Sequence, residues 1–368
     1  MDERFETMAA AGILAYESSF TALDAYLGIK DAPLRFALAS SAIQDIAKAF
    51  DEIEYPGSDY ADASVRSDFY IRLADSPKTA ESAAFAQLDL LRDPGRNVFL
   101  DPKDIYASLR SPKTVLRPAS AEKQIFEAAI LVSRYPYAIE SDALPALPRD
   151  FAPRSQRDML ELILTGATPE RGLELLRRTG FVDTYWPELA SLVGTGQSKE
   201  FHPEGDAWDH TLETFRYRKT VDLGLSLALL LHDTGKPRAE ESEGRKFDRH
   251  AEIGRSVAER FMRRLGFAQS LIEDVSFLVR YHMMPAALPR LPANRLEGVI
   301  DDKRFPILLE LYKCDELSTF RGPDGYYEAC AAYKAWLKNV RNPWRDAEGK
   351  KLAHMYLEPG PGRQFSRH

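Results

Sequence analysis

Cysteine is nearly absent from this 368-residue chain: Cys314 and Cys330 are its only two. Two thiols are too few to staple a fold, so a disulfide scaffold is excluded and a reducing cytoplasm is the expected home. Long hydrophobic runs are missing as well, and nothing approaches the ~18 apolar residues that a membrane span needs. The opening Met1-Asp2-Glu3-Arg4-Phe5-Glu6 is acidic and has no apolar core behind a basic flank, which predicts no signal peptide. An excess of positive charge is also lacking. The formal net charge of -7 argues against a strongly basic nucleic-acid binder, although it leaves room for a local basic groove. There is no internal repeat and no low-complexity segment. What is present, 44% hydrophobic and 29% charged residues, is the composition of a globular protein long enough for two or more domains.

Strand signals are confined to the front of the chain. Phe69 to Leu73 and Asn97 to Leu100 read as short strands, the second closed by Asp101-Pro102. Ala42 to Phe50 and Lys103 to Leu109 read as helices. From about Ala119 onward only helical patterns remain, with a proline-rich break at Leu144 to Pro153. Helices are expected over 122–134, 157–164, 169–179, 209–219, 223–231, 251–265, 270–281, 307–320 and 326–340. Ile253, Val257, Phe261 and Leu265 mark one helical face. The fold class that follows is mixed, a small α/β domain over 1–118 followed by all-α structure. The helical part divides into 119–200, 201–320 and a basic tail at 321–368.

Five of the seven histidines lie between positions 202 and 282. His210 is one turn into a helix opened by Pro203-Glu204-Gly205-Asp206. His232 and Asp233 end the apolar run Leu225 to Leu231 and lead into Thr234-Gly235-Lys236. His250 precedes the next helix, His282 ends the one after, and Asp315 sits within the last core helix. Helical proteins build metal sites by projecting such groups inward from successive helices. His210, His232, Asp233 and Asp315 are therefore the expected ligands of a first metal, with His250 and His282 completing a second site that shares Asp233. A mixed imidazole and carboxylate shell favours manganese, iron, nickel, cobalt or zinc over calcium or magnesium. One or two such ions would make a water nucleophilic near neutral pH. That chemistry assigns Asp233 and Lys236 as catalytic, Lys236 neutralising charge on phosphorus. Arg249 and Arg280, each beside an expected ligand, are the further phosphate contacts. His202, before Pro203, is read as shaping a loop, and His354 and His368 as tail residues without a metal role.

The stretches His202-Pro203-Glu204-Gly205-Asp206-Ala207-Trp208-Asp209-His210-Thr211, Leu229-Leu230-Leu231-His232-Asp233-Thr234-Gly235-Lys236-Pro237 and His250-Ala251-Glu252-Ile253-Gly254 together resemble the HD domain attached to bacterial tRNA nucleotidyltransferases, the CCA-adding and poly(A) polymerase family. The resemblance extends weakly along the chain, through Leu173 to Gly180 and Trp186-Pro187-Glu188-Leu189, which resemble the family's helical neck, to Pro359-Gly360-Pro361-Gly362. It implies a nucleotidyltransferase-like head over 1–118, a neck over 119–200 and an HD domain over 201–320. The family's polymerase residues do not carry over. Ser18-Ser19 falls at the triphosphate turn, but Arg35 and Ala37 fall where two metal-holding carboxylates are needed. Ala83-Ala84-Phe85 replaces an Arg-Asp-Phe stretch. Ala121, Gln124, Glu127 and Ile130 replace an Asp and three arginines that read the nucleotide.

The expectation drawn from this is a metal-dependent HD phosphohydrolase with a degenerate head that has lost nucleotidyltransferase activity. The resemblance implies a nucleotide or RNA substrate, tRNA included: a 2',3'-cyclic phosphate or a terminal monophosphate. The alternatives are a divergent tRNA nucleotidyltransferase and a non-catalytic RNA-binding protein with a structural metal. The head could bind RNA, form a dimer or serve as a packing partner for the neck. The tail beyond 330 interleaves Lys334, Lys338, Arg341 and Arg345 with Tyr333, Trp336 and Trp344, which suits either a single-stranded RNA contact or a solvated helix.

Overall fold

The computed structural model describes the chain apart from residues 1, 31, 59, 76–84, 106–107, 109–110, 112, 140–143, 197–204, 241–248, 291–296, 320–321 and 341–368. His202, His354, His368, Ala83-Ala84, the Pro359–Gly362 stretch and the basic tail past residue 340 thus lie outside the described residues.

The head is a seven-stranded sheet flanked by helices. In chain order it runs α1 (Glu3–Ala10), β1 (Leu14–Ser18), α2 (Ser19–Leu27), β2 (Arg35–Ser40), α3 (Ile43–Ala49), β3 (Ile53–Glu54), β4 (Ala63–Val65), β5 (Phe69–Leu73), β6 (Leu91–Asp93) and β7 (Val98–Leu100). The strand order is β3-β4-β5-β2-β1-β6-β7. All pairings are antiparallel except β2 with β5. Alternation along β2 separates two apolar layers. Ala37 and Ala39 pack with Phe5, Met8 and Ile46 of α1 and α3, while Phe36 points to the opposite face. There Phe20, Phe36, Tyr60, Tyr70 and Phe85 meet Phe126 of the neck, with ring centroids 5.0 to 6.2 Å apart. Ser19, at the start of α2, holds a φ of 54°, a left-handed conformation that favours glycine and is strained for serine.

β8 (Lys113–Thr114) leads into α4 (Ala121–Arg134), then β9 (Ala138–Ile139), α5 (Pro153–Leu164), α6 (Pro169–Arg178), α7 (Phe181–Tyr185) and α8 (Pro187–Ala190). Buried polar bonds clamp this neck to the head. Arg134 Nη2 and the Tyr135 hydroxyl donate to Asp24 at 2.7 and 2.8 Å. The Tyr60 and Tyr70 hydroxyls donate to Asp158 Oδ2 at 2.8 and 2.5 Å. Buried charge survives in a core only when paired in this way.

The helical body follows: α9 (Ala207–Thr214) with a 3-10 turn at Phe215–Tyr217, α10 (Leu223–Leu231), α11 (Lys236–Glu240), α12 (His250–Leu265), α13 (Gln269–Tyr281), α14 (Met284–Ala287), α15 (Glu297–Ile300), α16 (Phe305–Leu317) and α17 (Asp324–Val340). α10 is buried on every side from Leu225 to Leu231, as expected of a helix apolar all round. One continuous apolar cluster runs from Phe20 of the head to Trp336 of α17. No helix of the described residues is long and apolar enough to cross a membrane.

Several sequence expectations shift on contact with the fold. The helix expected from 157 starts at Pro153, because proline at the first helical position loses no needed hydrogen bond. The helix expected over 209–219 stops at Thr214 and tightens into the 3-10 turn. The one expected over 103–109 is turn and irregular chain from Lys103 to Ile105, with most of the rest undescribed. Strand pairing does not end at residue 119, since β8 and β9 pair in parallel across α4.

Candidate metal centre

Three helix ends and two helix interiors bring the six predicted ligands together. The Asp206 side chain caps α9 by accepting from Trp208 N and Asp209 N, both at 3.0 Å. That cap sets the helix in which His210 is buried. Asp222 caps α10 by accepting from Leu225 N at 2.7 Å, and α10 delivers His232 and Asp233 at its other end. His250 opens α12, His282 closes α13, and Asp315 lies near the end of α16.

Two triads of possible ligand atoms result: His210, His232 and Asp233, and Asp233, His250 and His282. Asp233 belongs to both and turns a different oxygen to each. Its Oδ2 faces His210 Nε2 at 3.7 Å and His232 Nε2 at 3.2 Å. Its Oδ1 faces His250 Nε2 at 3.8 Å. Asp315 Oδ1 joins the first triad, 3.0 Å from His210 Nε2 and 4.0 Å from His232 Nε2. His250 and His282 meet Nε2 to Nε2 at 3.1 Å. Lys236 Nζ stands 2.6 Å from Asp233 Oδ2.

The tautomers follow from the outer partners. A carbonyl only accepts, so Nδ1–H of His232 donates to Leu229 O and Nδ1–H of His282 to Val279 O, each at 2.8 Å. Ser318 Oγ gives its hydrogen to Asp315 O at 2.6 Å and so accepts from His210 Nδ1–H at 3.2 Å. In all three rings the Nε2 lone pair therefore points inward, the orientation that such outer hydrogen bonds give to metal-binding histidines. In the first triad these lone pairs face carboxylate oxygens. Acceptor against acceptor is repulsive in a buried site unless a cation lies among them. His232 Nε2 and Asp233 Oδ2 are buried and have no partner of hydrogen-bonding geometry. The donor set thus fits a divalent metal.

Electrostatics agree with that fit. Burial pushes the Asp233 carboxyl up, but His232 and Lys236 beside it outweigh burial and hold it well below the usual carboxylate range. Asp315 is lowered in the same way, burial being overcome by the His210 and His232 rings beside it. Burial, with His250 and His232 adding to it, pushes His282 down to about 3, so at neutral pH it is the uncharged ligand form.

Glycine makes the close approach possible. A Cβ on Gly235 would lie 2.0 Å from His250 O and 2.6 Å from Gly254 N. The turn after Asp233 therefore lies directly on the first turn of α12, which places His250. Arg249 and Arg280 are not drawn into the centre. Arg249 is 76% exposed and pairs with Glu252 at 2.9 Å. Arg280 leaves α13 on another side and lines a separate cleft with Arg255 and Arg304. Sequence reasoning missed Ser318 and the carbonyls of Leu229 and Val279. Only Ser318 had a visible signal, its place three residues after Asp315.

Residues 207–302 match the family model of the HD domain. Over 238 residues the chain is 32% identical to the CC-adding tRNA nucleotidyltransferase of Thermus thermophilus, covering 60% of this chain and 51% of that protein. A multifunctional CCA protein of Halorhodospira halophila is 33% identical over 43% of this chain and 37% of its own length. A bifunctional uridylyltransferase/uridylyl-removing enzyme of Ruegeria pomeroyi is 27% identical over 44% of this chain and 20% of its own. The chain thus spans about half or less of the length of these relatives. Among solved structures, the CCA-adding enzyme of Bacillus stearothermophilus in complex with CTP superposes over 92% of this chain and 81% of its own, with a TM-score of 0.55 at 16% identity.

These findings correct the expectation of a phosphohydrolase that has lost nucleotidyltransferase activity. The relative matched over 60% of the chain is a tRNA nucleotidyltransferase by name, others are CCA proteins by name, and the fold likeness includes the head. The substitutions that prompted the expectation are nevertheless real features of the head: Arg35 lies 3.4 Å from Asp2 and Ala37 is buried under α1 and α3. The chain carries an HD domain within a fold like that of the CCA-adding enzymes, a tRNA nucleotidyltransferase-like protein.

Proposed function

We propose that this chain is a divergent tRNA nucleotidyltransferase-like protein of the cytoplasm that acts on the 3' end of tRNA. The observation that carries this reading is the reach of the likeness, which takes in head and neck as well as the HD domain. Nucleotide transfer needs carboxylates to hold its metal ions, and Arg35 and Ala37 supply none. Glu17 and Asp89, buried on either side of the Ser18–Ser19 turn, are the head's candidates for that task. In the HD centre, His210, His232, Asp233 and Asp315 are proposed to hold one divalent transition-metal ion. His250 and His282, with Asp233, are proposed to hold a second. A bound ion would supply Lewis acidity toward a phosphate oxygen. Lys236 would hold Asp233 ionised and present positive charge to that phosphate. Residues 1–118, 119–200, 201–320 and 321–368 are proposed as head, neck, HD domain and tail.

A second reading, an RNA-binding protein whose metal is structural, is favoured by Arg35 and Ala37 alone. One experiment separates the two: purified chain is given tRNA lacking its terminal CCA, magnesium and labelled CTP or ATP. Incorporation is the expected result. Tight tRNA binding without incorporation would move the assignment to the second reading, and neither binding nor incorporation would overturn both. A parallel incubation with 2',3'-cyclic and 3'-monophosphate RNA ends under manganese, nickel, cobalt and zinc reports whether the HD centre adds phosphoester hydrolysis.

A further inference from the structure

On the outer side of α12 and α13, away from the histidines, lies a cleft of about 240 Å³ lined by Arg255, Ser276, Phe277, Arg280, Tyr281 and Arg304. Glu259 and Glu273 also line it, so three arginines stand with two carboxylates in the lining, and Asp302 and Asp274 pair with Arg304 from outside it. Arg255 is paired with Glu259 at 2.9 Å. Arg304 is held by Asp302 at 2.6 Å and lies over the Phe277 ring, 4.0 Å from its centroid. Arg280 has no hydrogen-bond or ion-pair partner among the described residues and rests only on the Tyr281 ring, 5.1 Å from its centroid. Ser276 is 4% exposed, and its hydroxyl is buried with no hydrogen-bond partner. An orphaned buried hydroxyl carries a desolvation cost unless something bonds to it.

We infer that this cleft is a phosphate subsite for a nucleotide unit. Arg280 offers its open guanidinium fork to two phosphate oxygens, the geometry in which arginine binds phosphate best. Arg255 and Arg304 add charge from the flanks, and Ser276 donates its unused hydroxyl. The Tyr281 and Phe277 rings, 5.0 Å apart and inclined at 61°, carry Arg280 and Arg304 over their faces and so position both guanidinium groups at the cleft. The helices that form the cleft also deliver His250 and His282, at the ends nearest Arg255 and Arg280. Five residues of helix rise, roughly 7.5 Å, separate Arg255 from His250 along the axis. An RNA strand with one phosphate at the metal centre can therefore lay a neighbouring phosphate here. The subsite rests on its own residues and stands whether or not the head transfers nucleotides.

The test uses the full chain in an Asp233→Ala background, which removes phosphate binding through the metal centre. Affinities for a fluorescent oligoadenylate and for AMP are measured against salt for that background and for added Arg255→Ala/Arg280→Ala, Arg280→Lys and Ser276→Ala changes. The double change is expected to weaken binding roughly tenfold or more and to reduce the slope of log K against log salt by about 1. Arg280→Lys should keep the salt slope while losing part of the affinity, because charge remains and the fork is gone. Ser276→Ala should weaken binding about threefold to tenfold without changing the slope. Loss for oligoadenylate alone assigns the subsite to an RNA phosphodiester, and loss for both ligands assigns it to a mononucleotide phosphate. Unchanged affinity and slope for both ligands in the folded double variant overturn the proposal.

Discussion

The head and the HD domain treat buried charge in opposite ways. On the neck-facing side of the head sheet, Phe85 and its aromatic neighbours pack with Ile130 of α4 in one buried cluster. The acids at this head–neck seam, Asp89 of the head and Glu127 of α4, are pushed up by burial, Asp89 to about 6 and Glu127 to about 7. Glu127 is used as a structural acceptor for the backbone N–H groups of Gln87 and Leu88. In the HD domain the buried acids are held down instead, by imidazoles and Lys236. Some of their atoms remain without hydrogen bonds. Buried polar atoms without hydrogen-bond partners occur in both regions, Ser19 Oγ and Glu127 Oε2 on the head side and His232 Nε2 and Asp233 Oδ2 in the HD domain; what sets the HD domain apart is that its unpaired acceptors converge on one point. The difference lies in the partners, since both regions are equally dry.

Five measurements would break or sharpen this contrast. Asp233→Ala removes the only ligand shared by both triads, and metal affinity should fall by more than ~100-fold; elemental analysis and competition titration read it directly, and full metal retention would refute the shared-carboxylate geometry. Ala37→Asp places an unpaired carboxylate in the layer beneath α1 and α3. It should cost about 3 kcal/mol or more in urea unfolding, and a neutral effect would mean that this layer is open to water.

Glu127→Gln tests the pH behaviour of the seam between α4 and the head. A carboxyl raised in the folded state contributes stability that is full below its unfolded value and is lost as pH rises through its folded value. Between pH 4.5 and about 7 the wild-type head–neck seam should therefore weaken as pH rises. Glu127→Gln should be near neutral at pH 4.5 and stabilising by roughly 1–3 kcal/mol at pH 7.5. His282 gives the opposite slope in the metal-free HD domain: its folded value lies below the unfolded one, so stability is present above pH ~6.5 and is lost as pH falls toward about 3. Hydrogen exchange of α4 and of α13 at two pH values would show whether the two regions diverge in this way. The smallest effect is expected for Ser318→Ala, which removes the acceptor that orients His210; metal affinity should drop about tenfold with little change in melting temperature.

Much of the HD centre was legible because its ligands sit at helix ends. Those ends are marked in sequence by capping Asp206 and Asp222 and by the apolar run of α10. Their inward direction follows from helical periodicity. Arg280 was misplaced for the same kind of reason. Two residues from His282 means roughly 200° around the helix, so adjacency in sequence sent it to another face. The head was less legible. β1, β3, β4 and β6 are short or paired with distant partners, and their apolar alternation is too brief to register. The strained turn at Ser19 has no serine-specific signature, since glycine is the residue that marks such a conformation.

The sequence by itself determined where each ligand enters the chain, the all-helical character of the body and the absence of carboxylates along β2. These depend on local caps, periodicity and residue identity. Only the tertiary structure decided that Asp233 turns one oxygen to each triad and that Gly235 must admit the backbone of α12. It also decided that Ser318 sets the tautomer of His210, and that the arginines of α12, α13 and the segment before α16 gather around Ser276. Each of these is a contact between elements distant in the chain, fixed by how helices pack rather than by any residue's own preference.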